Sequence, residues 1–172
     1  MTEAEAIWCR DFYMETLKHE SALTARVLEA VPAEGVNYRP DPASRPAIDL
    51  LRHIAAADNR FVETAINGVF SVATLIPEDK QQPGDVATWY RERHAANRAA
   101  LATVSGADLI KMVDFRGLFT RPAVTFLVLG LHHTIHHRGQ LSAYIRAMGG
   151  KVPSIYGESY DAAVARGAVP GQ

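Results

Sequence analysis

Four of the seven histidines of this chain lie within six consecutive positions, at His132, His133, His136 and His137. They form two pairs with the i, i+4 spacing that places both members of a pair on one face of an α-helix. Two neutral imidazoles arranged in this way can ligate one transition-metal ion, because histidine is the usual nitrogen donor for zinc, nickel, copper and iron. The spacing therefore predicts a metal site on this helix, to which another part of the chain must add ligands.

The helical phase selects His133 and His137 as the pair that faces inward. At about 100° of rotation per residue, their face is the core-facing stripe of the helix and carries Phe126, Leu129, Gly130, Gln140, Leu141, Tyr144 and Met148. His132 and His136 fall on a less apolar flank, which suits a rim or a subunit contact. We therefore expect His133 and His137 to be metal ligands. Gln140 lies on their face and is expected to orient a ligand or a bound water molecule.

His53 is the candidate third ligand. It lies in another helical stripe, which contains Ile48, Leu51, Ile54, Ala55, Phe61 and Val62. A single histidine on an apolar helix is more often a packed core residue, but a two-histidine site needs a partner. Three protein ligands with one open position are the pattern of a catalytic metal site. His94 has charged neighbours in the sequence, is expected to be solvated and is left out of the site.

Helical periodicity divides the chain into four long segments. The first begins with a capping box at Thr2 and Glu5 and covers roughly residues 3 to 30. Prolines from Pro32 to Pro46 exclude a helix there, and the stripe around His53 forms the second helix.

The third and fourth helices have their own start signals. Asp85 is expected to cap the third helix, which runs to about Val104. Thr120 and Pro122 are interpreted as the cap and first turn of the fourth helix, which ends at Gly149-Gly150. Residues 108–119 are short, mixed and irregular, and no strand-like alternation recurs.

These segments predict an all-α fold, a four-helix bundle of the up-down type with long loops and a C-terminal tail over residues 151–172. The chain has 172 residues, of which 48% are hydrophobic and 22% charged. This length and composition fit one domain over residues 1–172. Val124, Leu131 and Ile135 form a second apolar edge on the fourth helix, away from the histidines, and predict a homodimer.

Charge and cysteine content exclude several classes of function. The formal net charge is −1, from 18 Lys+Arg and 19 Asp+Glu, with no basic run, which does not support nucleic-acid or anionic-membrane binding. No apolar stretch approaches the length of a membrane span. Cys9 is the single cysteine, so no internal disulfide forms, and no leader pattern precedes Trp8. We expect a cytoplasmic protein with a small-molecule ligand.

The histidine pattern resembles that of the DinB/YfiT-like four-helix proteins. These typically carry one histidine on the second helix and the pattern His-x-x-x-His-Arg-Gly-Gln on the fourth, matched here by His53 and by residues 133–140. The likeness extends to Asn37-Tyr38-Arg39-Pro40 after the first helix and to Val152-Pro153-Ser154-Ile155-Tyr156-Gly157 near the end. It implies a divalent metal such as Zn, Ni, Fe or Mn at the histidines.

The resemblance also implies a reaction class. Relatives of this superfamily include metal-dependent thiol transferases and a maleylpyruvate isomerase that uses glutathione or mycothiol. We therefore expect transfer of a low-molecular-weight thiol, arriving as a cosubstrate, to a small electrophile, since Cys9 lies outside any Cys-x-x-Cys or Cys-His pattern. A metal-dependent hydrolase, a non-catalytic module that binds a metal or small ligand, and histidines that only pack remain alternatives.

Overall fold

The computed structural model describes residues 1–72 and 76–169. Its elements, in chain order, are α1 (Glu3–Glu29), α2 (Ala47–Asn67), α3 (Pro83–Leu101), α4 (Gly106–Leu109), β1 (Met112–Asp114), β2 (Thr120–Pro122), α5 (Thr125–Ala147) and α6 (Tyr160–Ala165). A short 3₁₀ turn, Ala33–Gly35, lies in the proline-rich connection. The four long helices α1, α2, α3 and α5 form a bundle, which confirms the all-α prediction.

The helix ends follow local rules. Thr2 and Glu5 form the predicted capping box at the start of α1. Gly68, with φ of 67°, ends α2 in the left-handed conformation that glycine adopts without strain. The prediction that Asp85 caps α3 was wrong by about one turn. The helix begins at Pro83, and a proline is tolerated there because the N–H groups of the first turn have no partner within the helix. Asp85 lies inside the first turn, where a negative charge is favourable.

Residues between α3 and α5 contain a small β-hairpin that the sequence did not predict. β1 and β2 are antiparallel, and Asp114 is paired with Thr120. The reversal includes Gly117 and Arg116 with positive φ, and the Gly117 amide donates to the Asp114 carboxylate. Thr120 and Pro122 therefore belong to β2, which corrects their assignment as the start of the fourth helix. α5 begins three residues after Pro122.

Side-chain pairs between helices fix the direction of each helix. α1 and α3 are antiparallel, since Arg91 pairs with Glu29 while Arg10 donates to the Val104 carbonyl at the other end. α2 and α5 are also antiparallel. His53 on α2 lies against His137 on α5, whereas Phe61, later on α2, lies against Gly130, earlier on α5. α1 packs on α3 and α5, and α2 packs on the same two helices.

The third helix departs from simple up-down alternation. Arg52 donates to the Lys80 carbonyl just before α3, and Tyr90 donates to Asp58 farther along both helices, so α2 and α3 run parallel. The end of α2 and the start of α3 consequently lie at opposite ends of the bundle. The directions of the four long helices are up, down, down and up, so that α2 and α3 are the one pair of consecutive long helices that run parallel.

The outer surface of the bundle modifies one prediction about α5. Val124 is only 3% exposed because it packs in the core beside Leu127, whereas Leu131 and Ile135 are half-buried. The predicted second apolar edge is therefore shorter, and the homodimer stays a prediction.

Among the described residues, no helix combines the length and apolar character that a membrane crossing needs. Residues 170–172 of the predicted tail lie outside the described part of the chain.

Candidate metal centre

The three predicted ligands meet between α2 and α5. His53 lies on α2, while His133 and His137 lie one turn apart on α5. Gly130 permits the close approach of the two helices, because a Cβ atom there would lie 2.5 Å from the Phe61 Cβ. This approach brings the α2 histidine within reach of the α5 pair.

The ring nitrogens of these histidines converge. The Nε2 atoms of His53 and His133 are 3.0 Å apart. The ring centroid of His137 lies 4.8 Å from that of His53 and 4.5 Å from that of His133. One ligand atom from each of the three lies within 4.8 Å of the others. This cluster is compatible with metal binding, for which imidazole nitrogens are common donors.

Gln140 contacts the cluster directly. Its Oε1 atom lies 2.9 Å from Nδ1 of His137, and its Nε2 atom lies 3.4 Å from the Tyr144 hydroxyl. An amide oxygen can only accept, so Nδ1 of His137 carries the proton and donates. Nε2 of His137 is then left with its lone pair available for a ligand, and a hydrogen bond of this kind orients a metal-binding imidazole.

Burial and neighbouring positive charge keep two of the imidazoles neutral. Burial, followed by the charges of Arg45, His137 and Arg60, lowers the pKa of His53 to about 4. Burial, followed by His137 and His53, lowers the pKa of His133 to about 4, against the opposing effect of Asp58. Both rings are therefore in the neutral, metal-binding form at pH 7.

An aromatic cluster borders the histidines on one side, and a polar cavity borders them on the other. The cluster, which we call the aromatic wall, consists of Phe61, Phe70, Phe115, Phe119 and Phe126. The Phe61 ring lies 5.5 Å from the His133 ring. His53 also lines a cavity of about 380 Å³, together with Arg52, Arg60 and the carboxylates Asp49 and Glu78. A small ligand in this cavity would contact His53 and charged side chains, while the aromatic wall lies on the His133 side of the cluster.

The two remaining histidines of the α5 motif lie outside the cluster. His132 and His136 are exposed, as their helical phase predicted, while His133 and His137 are half-buried. Nδ1 of His133 is buried and has no hydrogen-bond partner among the described residues. The charge of Asp58 raises the pKa of His133, although burial lowers this pKa by more.

His94 is buried, so the prediction that it is solvated was wrong. It is only 1% exposed, and its Nε2 atom lies 3.5 Å from the Asp58 carboxylate, to which Tyr90 also donates at 2.5 Å. Its charged sequence neighbours Arg91 and Arg93 point to solvent because they lie on other faces of α3. A stripe of Val86, Tyr90, Asn97 and Leu101 at helical spacing from His94 was the sequence signal for its burial.

Arg138, the residue after His137, is part of the core. It is 2% exposed and forms a salt bridge of 2.6 Å with Glu20 on α1, away from the histidine cluster. It also donates to Thr24 at 3.1 Å and to the Tyr156 hydroxyl at 2.5 Å. A guanidinium carries five N–H donors, and these partners accept from both of its terminal nitrogens, which stabilises the buried charge.

The fold and the site together describe an all-α protein, a four-helix bundle in which two helices contribute three histidines to a candidate metal centre. The chain belongs to the DinB superfamily, whose sequence model matches residues 16–141. The uncharacterized protein YjoA of Bacillus subtilis (strain 168) is 27% identical over 136 residues, which cover 77% of this chain and 86% of YjoA.

Two solved structures share the fold. The crystal structure of the DinB-like protein YjoA from Bacillus subtilis has a TM-score of 0.69 at 22% identity, covering 85% of this chain and 98% of that one. The crystal structure of a DinB-like protein from Bacillus cereus ATCC 10987 has a TM-score of 0.69 at 24% identity, covering 84% and 95%. At these identities the likeness establishes the arrangement of helices.

Proposed function

We propose that this protein is a metal-dependent enzyme that transfers a low-molecular-weight thiol to a small electrophile. The observation that supports the metal-dependent part is the convergence of three ring nitrogens, from His53, His133 and His137, within 4.8 Å. Three imidazoles with no carboxylate in the set fit a divalent transition metal such as Zn, Ni, Fe or Mn. The thiol-transfer part rests on the resemblance to DinB/YfiT-like transferases.

Each of the site residues has a definite role in this proposal. His53, His133 and His137 would hold the ion, and Gln140 would orient His137 through its Nδ1–H. When bound, the ion would supply Lewis-acid chemistry that lowers the pKa of a thiol or water molecule beside it. Arg45 and Arg60 place positive charge near His53 and would stabilise the thiolate, which is the nucleophilic form.

The reacting thiol would come from a cosubstrate. Cys9 lies on α1 and packs in the apolar cluster that contains Leu17, Val62 and Leu127, whereas the histidines lie between α2 and α5. The aromatic wall would bind the apolar part of the electrophile beside His133. In an addition, the sulfur–hydrogen bond breaks as the sulfur–carbon bond forms, and the proton lost from sulfur ends on the adduct.

Metal content is the first test. Protein purified without a nickel column should contain close to one equivalent of a transition metal by elemental analysis. His133→Ala should lose this metal, whereas His132→Ala, on the exposed flank of the same helix, is the matched control and should keep it. Metal far below one equivalent in the wild-type protein, unchanged in His133→Ala, would contradict the metal centre.

Activity assays then separate the reaction classes. The metal-loaded protein should consume a thiol from a panel of low-molecular-weight thiols in the presence of small electrophiles, and His137→Ala should abolish the turnover. A parallel panel of esters and amides tests the hydrolase alternative. Thiol-independent hydrolysis that disappears in His133→Ala would replace the transferase by a hydrolase. Metal binding without turnover in either panel would identify a binding module.

A further inference from the structure

The face of the bundle opposite the histidines contains a larger cavity. It lies between α1 and α3, whereas the metal centre lies between α2 and α5, and its volume is about 640 Å³. This volume falls within the usual range of about 300–1,000 Å³ for small-molecule sites. Four cationic side chains line it: Lys18, Arg26, Arg91 and Arg98. Within the described part of the chain, no acidic residue lines this cavity.

Two of these cations have no carboxylate partner within residues 1–72 and 76–169. Arg98 is half-buried, and its Nη1 atom donates to the Ser21 hydroxyl at 2.8 Å and lies 3.2 Å from Nδ1 of His94. Arg26 donates to the Ser154 carbonyl at 3.1 Å. By contrast, Arg91 forms an ion pair with Glu29. A guanidinium is always charged, so Arg98 holds a partly desolvated positive charge that only neutral groups solvate.

The partners of Arg98 also fix its position. Ser21 is buried and its hydroxyl donates to the Lys18 carbonyl, so its oxygen is oriented to accept from Arg98. His94 is held by Asp58 on its other ring nitrogen. Arg98 is therefore anchored through one nitrogen, and its other donors have no hydrogen-bond partner among the described residues. A fixed guanidinium with free donors is well suited to bind an oxyanion in a bidentate manner.

We propose that this cavity is a second ligand site, which binds a small organic anion carrying a phosphate or carboxylate group. The oxyanion would be held by Arg98 and Arg26, with Lys18 adding positive charge. The apolar body of the ligand would lie on Ala22, Leu23 and Ala95, which line the same cavity. This site is separate from the candidate metal centre, and its ligand would supply the counter-charge that Arg98 lacks among the residues that the structure describes.

Titration of the metal-free chain of 172 residues tests the proposal. Pyrophosphate and tricarballylate serve as phosphate and carboxylate probes, with binding followed by calorimetry and amide NMR shifts. At least one probe should bind at low ionic strength, shift amides of α1 and α3, and bind more weakly as salt rises. Arg98→Gln should weaken this binding at least about tenfold, the loss expected for a charge-assisted hydrogen bond.

Control variants keep the result interpretable. Arg26→Gln changes only an exposed side chain, and should weaken binding even if Arg98→Gln disturbs folding. Arg166→Gln removes an equal charge from the distant α6 end and should leave the dissociation constant within about twofold. His133→Ala should bind the probe as the parent does, because it alters only the metal centre.

Two outcomes would overturn the proposal. The first is that neither probe binds; binding of duplex DNA that depends on the same arginines would then identify a nucleic acid as the ligand instead. The second is that Arg26→Gln and Arg166→Gln weaken binding equally. Selective binding of pyrophosphate or of tricarballylate would support the site and assign its ligand to phosphates or carboxylates respectively.

Discussion

The lowered pKa values of His53 and His133 predict that a metal ion bound by the three histidines would be retained in mildly acidic solution. A proton competes with the metal for each imidazole and weakens the apparent affinity by the factor 1 + 10^(pKa − pH). With both pKa values at about 4, lowering the pH from 7 to 5 weakens binding only about 1.2-fold through these two ligands. Two histidines at the ordinary value of about 6.5 would weaken it about 600-fold over the same interval.

A competition titration measures this directly. Zinc is partitioned between the protein and a chelator of known, pH-corrected affinity at a series of pH values from 7 to 5. The contribution of the third ligand, His137, is common to both cases, so the comparison depends on the other two. The cause of the lowered pKa is also testable. After burial, the positive charge of Arg45 is the next largest cause of the lowered pKa of His53, and Arg45→Gln removes this charge. This variant should raise the pKa of His53 and make zinc binding more sensitive to pH.

The control is Arg39→Gln, which removes an exposed charge from the same connection. It should leave the pH dependence of the parent unchanged. A loss of apparent zinc affinity above about 100-fold between pH 7 and pH 5 would refute the argument. Such a loss would mean that the two imidazoles titrate near their ordinary pKa and that burial between α2 and α5 does not shift them.

Four further predictions concern the site and the packing that forms it. His133→Ala should remove zinc while the exposed His132→Ala retains it, by elemental analysis; equal loss would mean that the wrong helical face was assigned. Gln140→Leu should weaken zinc binding about 10–100-fold in the competition titration, because the imidazole N–H beside it loses its acceptor; unchanged affinity would exclude this role. Gly130→Ala should lower the free energy of unfolding by roughly 1–3 kcal/mol in urea denaturation, because the new Cβ would lie 2.5 Å from that of Phe61. Finally, the metal-free protein should be less stable at pH 5 than at pH 7 by about 1–2 kcal/mol, discounted for the half-exposed rings. In the unfolded chain these histidines take up protons below about pH 6.5, but in the folded protein they do so only near pH 4. The free energy of unfolding should therefore be highest above pH 6.5 and should decrease as the pH falls towards 4. An equal free energy of unfolding at pH 7 and pH 5 would contradict the lowered pKa values.

The α5 part of the site was predictable because its information is local. The i, i+4 spacing of His133 and His137 and their phase relative to the apolar stripe depend only on helix geometry. The exposure of His132 follows from the same rotation. His53 lies 80 positions before His133, and only the need for a third ligand and the family resemblance connected them. Neither reveals that Gly130 allows the close helix approach.

Features that depend on contacts between distant segments were not predictable in the same way. The burial of His94 depends on Asp58 on another helix, while its own charged neighbours favoured solvent. The hairpin was missed because strands of three residues are too short to show an alternating pattern. The parallel direction of α2 and α3 is evident only from contacts between distant residues, such as Tyr90 with Asp58. Hydrophobic periodicity specifies which face of a helix is buried but not its direction.

The middle of the bundle is polar at the level of the histidines, and apolar clusters lie towards both ends. Leu28, Leu50 and Tyr144 belong to the cluster at one end, and Leu17 and Leu127 to the cluster at the other. Between them lie buried groups from all four long helices: Glu20, Thr24, Asp58, Tyr90, His94 and Arg138.

Such a layer does not maximise stability, because paired buried charges are often no better than apolar side chains of similar size. Breaking one pair is costly, however, since it leaves a charge buried without a partner. The layer acts on the candidate site through the charge of Asp58, which raises the pKa of His133, and it reaches the surface through Arg138 and Tyr156. Asp58 accepts from Tyr90 and so joins α2 to α3, while Arg138 donates to Thr24 and so joins α5 to α1. The polar layer thus restricts the register within each of these two helix pairs at the expense of some apolar packing.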